Sequence, residues 1–320
     1  MKKVLVIRFS SIGDIVLTTP VVRCLKAQLQ AEVHYLTKEN FAGIVASNPN
    51  IDRVITIRKK VSEAADELKK NNYDFVVDLH HNLRSQQVKK LLKKESASFP
   101  KLNSEKWLLV NARINRLPDV HIVDRYFETV KTLGVKNDGN GLDYFIPEKD
   151  EVNPGVFPAT HREKFIAVTA SARFGTKQLP IDKMEQIIDV LRLPVILLGG
   201  KEDSARGEEL RRRCGEKVFN ACGMFSLNQS ASVVKQAEAV IAHDTGLMHI
   251  AAAFRKKIFS VWGNTVPAFG MYPYLPGEGS EMIEVKDLSC RPCSKIGFKE
   301  CPKGHFRCMN DIDVKAFRRV

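Results

Sequence analysis

Ala239-Val240-Ile241-Ala242-His243-Asp244-Thr245-Gly246-Leu247-Met248-His249 reads as a strand, a turn and the start of a helix. The apolar run Ala239 to Ala242 is short and bounded, the pattern of a buried strand. From Leu247 to Phe254 the apolar residues recur at helical spacing. A strand that ends in Asp-Thr-Gly and turns straight into a helix leaves backbone N–H groups without partners at the helix start. Those donors, with the positive end of the helix dipole, suit a phosphate or diphosphate. Gly246 permits close backbone approach, Thr245 offers a hydroxyl, and Asp244 can orient a polyol or a cation. Asp and Thr are also favoured as ordinary helix caps, so the tripeptide alone carries two readings. His249 lies one turn into the helix, able to face the same ligand, and it favours the binding reading.

Outward from this stretch the pattern repeats. In the second half Phe165–Thr169, Val195–Leu198, Val218–Asn220, Ala239–Ala242 and Ile258–Val261 read as strands separated by helices. In the first half the strands are Lys3–Phe9, Glu32–Leu36, Val54–Ile57, Phe75–Leu79 and Ala97–Phe99, with helices at 21–29, 62–70 and 84–94 and a helix-rich stretch from His121 to Leu133. Short apolar strands alternating with helices imply parallel sheets covered on both faces. The expectation is an α/β protein of two doubly wound domains, residues 1–150 and 164–312, with 151–163 as a linker. Residues 313–320 are expected to form a short basic tail helix. A ligand cleft between the halves would be lined by the carboxyl ends of the strands.

Composition narrows the class. At 320 residues and 44% hydrophobic, the chain suits two domains of about 150 residues each. No apolar run approaches the ~20 residues of a membrane span, and the amino terminus reads as a first strand, so the expected location is the cytoplasm. Seven cysteines fit a reducing compartment better than a disulfide framework. The net charge is +13, concentrated between Arg84 and Arg116, where nine basic residues face Glu95 and Glu105. That run suits an anionic membrane surface or a phosphorylated acceptor, or it is a solvated helix face. Sparse aromatics there argue against a nucleic-acid surface. Neither a Gly-x-Gly-x-x-Gly nor a Walker-type loop occurs. The only Asp-x-Asp, Asp311-Ile312-Asp313, stands in the tail.

After the first strand comes Ser10-Ser11-Ile12-Gly13-Asp14, a tight turn into a helix. A carboxylate at Asp14 can take a proton from an attacking hydroxyl, or it can cap the helix. Together, Ser-Ser-Ile-Gly-Asp near the amino terminus, a Lys followed by a Pro in the middle and Asp-Thr-Gly-Leu-Met-His in the second half resemble glycosyltransferase family 9, the ADP-heptose:lipopolysaccharide heptosyltransferases. The resemblance covers nearly the whole chain. It implies the GT-B fold, with acceptor on the first domain and nucleotide sugar on the second. It also implies inverting, single-displacement transfer of heptose from ADP-heptose to the phosphorylated lipid A–inner core, without a required cofactor.

Carried over residue by residue, the family's catalytic base falls on Asp14. Its donor loop falls on Thr169 to Pro180, where Lys177 would stabilise the leaving diphosphate and Ser171 and Thr176 would add hydroxyls. Leu179 stands where the family often has an aromatic residue. Glu202, after Leu198-Gly199-Gly200, matches the ribose-binding position; by itself it is equally a helix-opening acid. Asp244, Thr245, Gly246, Leu247 and His249 match the family's donor-binding run. On the acceptor side the candidates are Ser11, Gly13, Arg84 and Arg125, with His80, His81, His121, Arg113 and Arg116 behind them. The resemblance places the enzyme in the bacterial cytoplasm, at most peripheral to the inner face of the inner membrane.

The tail carries Cys290, Cys293, Cys301 and Cys308 with His305, a set that reads either as a structural zinc site or as free thiols. Two other functions stay open: a GT-B transferase for another nucleotide sugar, and a non-catalytic nucleotide-sugar or phosphoglycan-binding protein.

Overall fold

All the strand pairs are parallel, because no strand is joined to the next by a hairpin turn. The computed structural model describes residues 2–320, which divide into two units. The first unit contains β1 (Lys3–Ile7), α1 (Ile12–Val16), α2 (Thr19–Leu29), β2 (Glu32–Lys38), β3 (Arg53–Ile57), α3 (Ala65–Lys70), β4 (Phe75–Asp78), α4 (Leu83–Leu92) and β5 (Glu95–Ser98). After an excursion that forms α5 (Asn103–Ala112), α6 (Ile122–Phe127) completes it. Its strand order is β3-β2-β1-β4-β5. Val4 to Ile7 have no exposed surface, as expected of a central parallel strand covered on both faces.

The second unit contains β6 (Ile166–Thr169), α7 (Ile181–Val190), β7 (Val195–Leu198), α8 (Ser204–Cys214), β8 (Val218–Asn220), α9 (Leu227–Gln236), β9 (Ala239–His243), α10 (Gly246–Ala253), β10 (Lys257–Trp262), β11 (Glu281–Glu284) and α11 (Arg307–Asn310). The order is β11-β10-β9-β6-β7-β8. α7 turns Met184, Ile187 and Ile188 inward, the i, i+3, i+4 stripe of a helix lying on a sheet.

Strand order decides where ligands can sit. In the first unit the chain winds outward from β1 through β2 and β3, then returns to start again at β4. In the second it winds from β6 through β7 and β8, then returns at β9. Loops that leave two adjacent strands in opposite directions open a crevice at the carboxyl ends. Those loops follow β1 and β4 in one unit, and β6 and β9 in the other.

Several elements differ from the sequence expectation. Residues 102–119 belong to the second unit rather than the first; Arg113, just past α5, donates to the carbonyls of Pro292 (2.6 Å) and Cys290 (3.2 Å). The segment expected as a linker, 151–163, is packed into the second unit, with Phe157 buried edge-on against Phe165 at 5.6 Å. The stretch His121–Leu133 splits into α6 and a 3-10 turn at Lys131–Leu133. The tail 313–320 forms a 3-10 helix, Val314–Arg319, whose fully buried Phe317 packs against Phe259 in the second unit's core. No helix among the described residues is long and apolar enough to cross a membrane.

Candidate active site

In the first unit the turn after β1 is organised by Arg8. Its Nη2 pairs with Asp14 Oδ1 at 2.5 Å, its Nε donates to the Ser10 carbonyl at 2.9 Å, and its Nη1 donates to the Tyr126 hydroxyl at 3.1 Å and to the Leu79 carbonyl. Burial opposes the charge on Arg8, but Asp14, Tyr126 and Tyr35 outweigh it, and its pKa stands above that of an ordinary arginine. Asp14 Oδ2 accepts from the Ser11 hydroxyl (2.6 Å) and the Ser11 N–H (3.1 Å). Asp14 therefore caps α1 as well as pairing with Arg8, and a fifth of its side chain stays exposed. Gly13 is buried beneath this turn.

The turn after β4 is built around Asp78, which has no exposed surface. It accepts from the backbone N–H of His80 and His81, from Ser85 and Ser98 and from Lys89. Burial alone would raise its pKa, but these donors bring it below the usual carboxylate range. His81 packs as a turn residue on Phe99, its Nδ1 3.0 Å from the Phe99 carbonyl. His80 faces Phe9, whose N–H it accepts at 3.3 Å. Burial and the nearby Arg8 and Lys101 pull the His80 pKa down to about 4, so the ring is neutral at physiological pH. Arg84 lies half-buried in the first turn of α4 and makes no ion pair among the described residues. Arg125 is 4% exposed on α6, and burial lowers its pKa.

The basic run between Arg84 and Arg116 is divided between the two units. Lys89 is held by Asp78 and Ser98, Lys94 by Asn72, and Arg113 stands in the other unit.

In the second unit the loops after β6 and β9 meet, as strand order requires. Lys177 Nζ forms an ion pair with Asp244 Oδ2, which also accepts from the Thr265 hydroxyl at 3.1 Å. Lys177 and Asp244 are 14% and 15% exposed, close enough to solvent for a ligand to reach. Thr245 occupies the cap position of α10 in extended backbone, yet its side chain makes no capping bond. Among the described residues its hydroxyl oxygen is buried without a partner. That is not how an ordinary helix cap behaves. An unsatisfied buried hydroxyl costs roughly 1–3 kcal/mol, which an incoming acceptor would recover. Gly246 opens the helix, Leu247 is half-buried, and His249 is buried one turn on.

Other candidates take different roles. Thr176 is buried, and its hydroxyl both donates to and accepts from the Phe298 backbone, at 3.1 and 2.8 Å; it anchors the tail instead of offering a donor to a ligand. Ser171 donates its hydroxyl to Asp203, which also accepts the Gly200 N–H at 2.9 Å. Glu202 is exposed, without an ion pair among the described residues.

Three residues that sequence reasoning missed shape the donor loop. Arg206 on α8 donates to the carbonyls of Ala170 and Leu179, strapping both ends of the loop. His243, buried at the end of β9, accepts the Leu179 N–H on Nε2 at 3.0 Å and faces Thr169 with Nδ1 at 3.1 Å. Burial, with Arg206 nearby, drives the His243 pKa down to about 3. Asp203 is the third, joining the loops after β6 and β7. The signal for one of them was visible: His243 is the polar residue that ends an otherwise apolar strand.

The cysteine-rich tail lies against the same loops. Besides Phe298 on Thr176, a β-carbon at Gly175 would collide with the Lys299 carbonyl, so only glycine lets the tail sit there. The Cys293 N–H donates to the Asn264 carbonyl at 3.1 Å, and Arg291 donates to the carbonyls of Gly263 (2.5 Å) and Thr265 (3.0 Å). The residues do not fit a zinc ion as arranged. Cys290 Sγ faces His305 Nε2 at 3.8 Å, and the Cys293 thiol is turned to the Cys290 carbonyl at 3.0 Å. All seven cysteines are free, and no group of three or more ligating side chains among the described residues is placed to hold a metal. Burial pushes the Cys293 and Cys308 thiols up to about 11 and about 12.

Comparison with known proteins adds an independent line. The family model for glycosyltransferase family 9 (heptosyltransferase) matches residues 61–302. The chain is 24% identical to lipooligosaccharide heptosyltransferase 2 of Haemophilus ducreyi, over 97% of its own length and 95% of the relative's. It resembles the structure of E. coli ADP-heptose lipopolysaccharide heptosyltransferase II with a TM-score of 0.69, at 20% identity, covering 97% of this chain and 98% of that one. For an E. coli heptosyltransferase solved with ADP the TM-score is 0.67, at 21% identity over 87% and 92% of the two chains. Two parallel α/β sheets of this kind are those of a GT-B glycosyltransferase. The chain belongs to glycosyltransferase family 9, the heptosyltransferases.

Proposed function

We propose that this enzyme transfers heptose from ADP-heptose to the inner core of lipopolysaccharide by a single inverting displacement. The acceptor hydroxyl oxygen attacks the anomeric carbon, the bond from that carbon to the diphosphate breaks, and ADP leaves with the bonding pair. The proton of the attacking hydroxyl passes to Asp14, held in place by Arg8 and Ser11. Ser11, Gly13, Arg84 and Arg125 would bind the acceptor.

One observation carries the donor half: at the crossing of β6 and β9, a cation and an unsatisfied buried hydroxyl stand at the start of α10. A diphosphate there would receive Lys177, the Thr245 hydroxyl and the free N–H groups around Gly246. Lys177 is paired with Asp244, so donor binding would exchange one anion for another and leave Asp244 to accept from a sugar hydroxyl. Ser171, Glu202, Leu247 and His249 would complete the nucleotide-sugar contacts. Relatives named as heptosyltransferases of lipopolysaccharide or lipooligosaccharide support heptose as the sugar, and one solved with ADP supports the nucleotide.

A thermal-shift screen with ADP-, UDP- and GDP-sugars tests the donor, followed by transfer to purified acceptor. Selective stabilisation by ADP-heptose, with release of ADP only when acceptor is added, is expected. A preference for another nucleotide would replace the donor assignment. Donor binding with no transfer to any inner-core acceptor would make the protein a nucleotide-sugar binder.

A further inference from the structure

The excursion at 102–119 exposes apolar side chains. α5 buries only Leu109, and Trp107 on its outer face is 61% exposed. Asn103 and Asn111, one turn to either side, share that outward stripe. Ile114, just past the helix end, is 46% exposed. Arg113 fastens the excursion to the carbonyls of Cys290 and Pro292, at the head of the segment that carries Ile296 and Phe298, 52% and 40% exposed.

Cations accompany these side chains. Arg116, Lys295 and Lys299 are all exposed. A large exposed aromatic ring gains nothing from water, and exposed apolar groups rimmed by polar ones mark a surface that something covers. An exposed tryptophan on an element tied to a second segment with exposed apolar groups, where exposed Arg116, Lys295 and Lys299 outnumber Asp119 and Glu300, matches the boundary of an anionic bilayer. There the indole sits at headgroup level and the cations meet lipid phosphates.

We propose that α5 and the 294–299 segment form a docking surface for an anionic membrane, with Trp107 as the side chain that enters the interface. The proposed function supplies the purpose, since an acceptor built on lipid A is presented at a bilayer. The docking itself needs neither donor nor acceptor, so the two readings fail separately.

The test is flotation of the full chain with phosphatidylglycerol-containing vesicles against pure phosphatidylcholine, with tryptophan emission recorded in parallel. Trp262 is 1% exposed and supplies a constant background, so any change reports Trp107. Expected are binding to the anionic vesicles alone, weakened by salt, and a blue shift of the emission. Trp107→Ser should lower partitioning about tenfold, the loss expected when one large apolar side chain no longer transfers from water. Arg116→Glu with Lys299→Glu should weaken binding while the remaining blue shift still reports insertion. Should Trp107→Ser disturb folding, Trp107→Phe keeps an aromatic ring and should keep most of the binding. Equal flotation of wild type and Trp107→Ser, or anionic vesicles that leave the emission unchanged, would overturn the proposal. So would a blue shift produced by a soluble phosphorylated saccharide and not by vesicles, which would make the surface an acceptor contact. Vesicle binding retained by a protein that transfers no sugar would count against the proposed function alone.

Discussion

Replacing Asp14 by Asn changes two things at once, and the structure separates them. The amide keeps the shape of the carboxylate and loses its ability to accept a proton. It also leaves the Arg8 guanidinium, 9% exposed, without its counter-charge. Charge-assisted hydrogen bonds contribute roughly 1.5–3 kcal/mol, and this pair lies between a surface ion pair and a fully buried one. Arg8 keeps its bonds to Ser10, Leu79 and Tyr126, so the turn should hold its course. The expected loss is therefore about 2 kcal/mol, a fall in Tm of roughly 5–10 °C for a unit of this size.

Catalysis should suffer more. A positioned general base is typically worth 10²- to 10⁴-fold, so turnover should drop by about that factor while KM changes little. The assay is single-turnover transfer at a temperature where the variant is fully folded, with thermal unfolding measured alongside. Arg8→Met and the double variant close a cycle: if the pair matters, the double variant is more stable than the two separate losses would predict. Near-normal turnover by Asp14→Asn would remove Asp14 from the proposed mechanism. An unchanged Tm would show that Arg8 finds its stabilisation elsewhere.

Lys177→Ala should weaken ADP binding about tenfold to hundredfold by calorimetry, the value of one charge-assisted phosphate contact; unchanged affinity would mean that the lysine serves Asp244 only. His243 stays neutral in the folded chain down to about pH 3, whereas the unfolded chain takes up a proton near 6.5. Full stability is thus present above pH 6.5 and falls as the pH drops towards 3, by up to about 1.4 kcal/mol per unit for this group. Urea unfolding at pH 7 and pH 5 should show His243→Gln losing about 2 kcal/mol less than wild type, and equal losses would refute the assignment. Transfer should survive EDTA, since a helix start and Lys177 can carry the diphosphate charge; immediate, Mg²⁺-reversible loss would overturn that expectation. About one zinc per chain by elemental analysis would show that the four tail cysteines rearrange to bind metal.

Most strands were legible because parallel strands buried on both faces are written as short, unbroken apolar runs. Ala239 to Ala242 is such a run, and all five residues of β9 are buried. Neither β11 nor α5 was legible. β11 lies at the sheet edge and buries only Ile283, so Glu281-Met282-Ile283-Glu284 carries no strand pattern. α5 buries only Leu109, so the helical period is missing from its sequence.

At the site the same division holds. Asp14 and the Asp244–His249 run announce themselves by local spacing, whereas Lys177 is singled out mainly by the family resemblance. Their partners do not announce themselves, because pairing depends on strand order. Lys177 and Asp244 stand 67 residues apart and meet only because β9 returns beside β6. Arg8 reaches Tyr126 across 118 residues for a similar reason: the chain re-enters the first unit after its excursion. Arg206 and His243 act on backbone groups of the donor loop, and backbone partners leave no mark in sequence at all. The pairing of Lys177 with Asp244 changes the meaning of the motif. Read as a string, the lysine is a loop cation that only the family resemblance ties to a diphosphate. In the folded protein its charge is already matched by Asp244, so under the proposed function donor affinity would depend on how readily Asp244 gives it up, and the Thr245 hydroxyl beside it would tip that exchange towards the ligand.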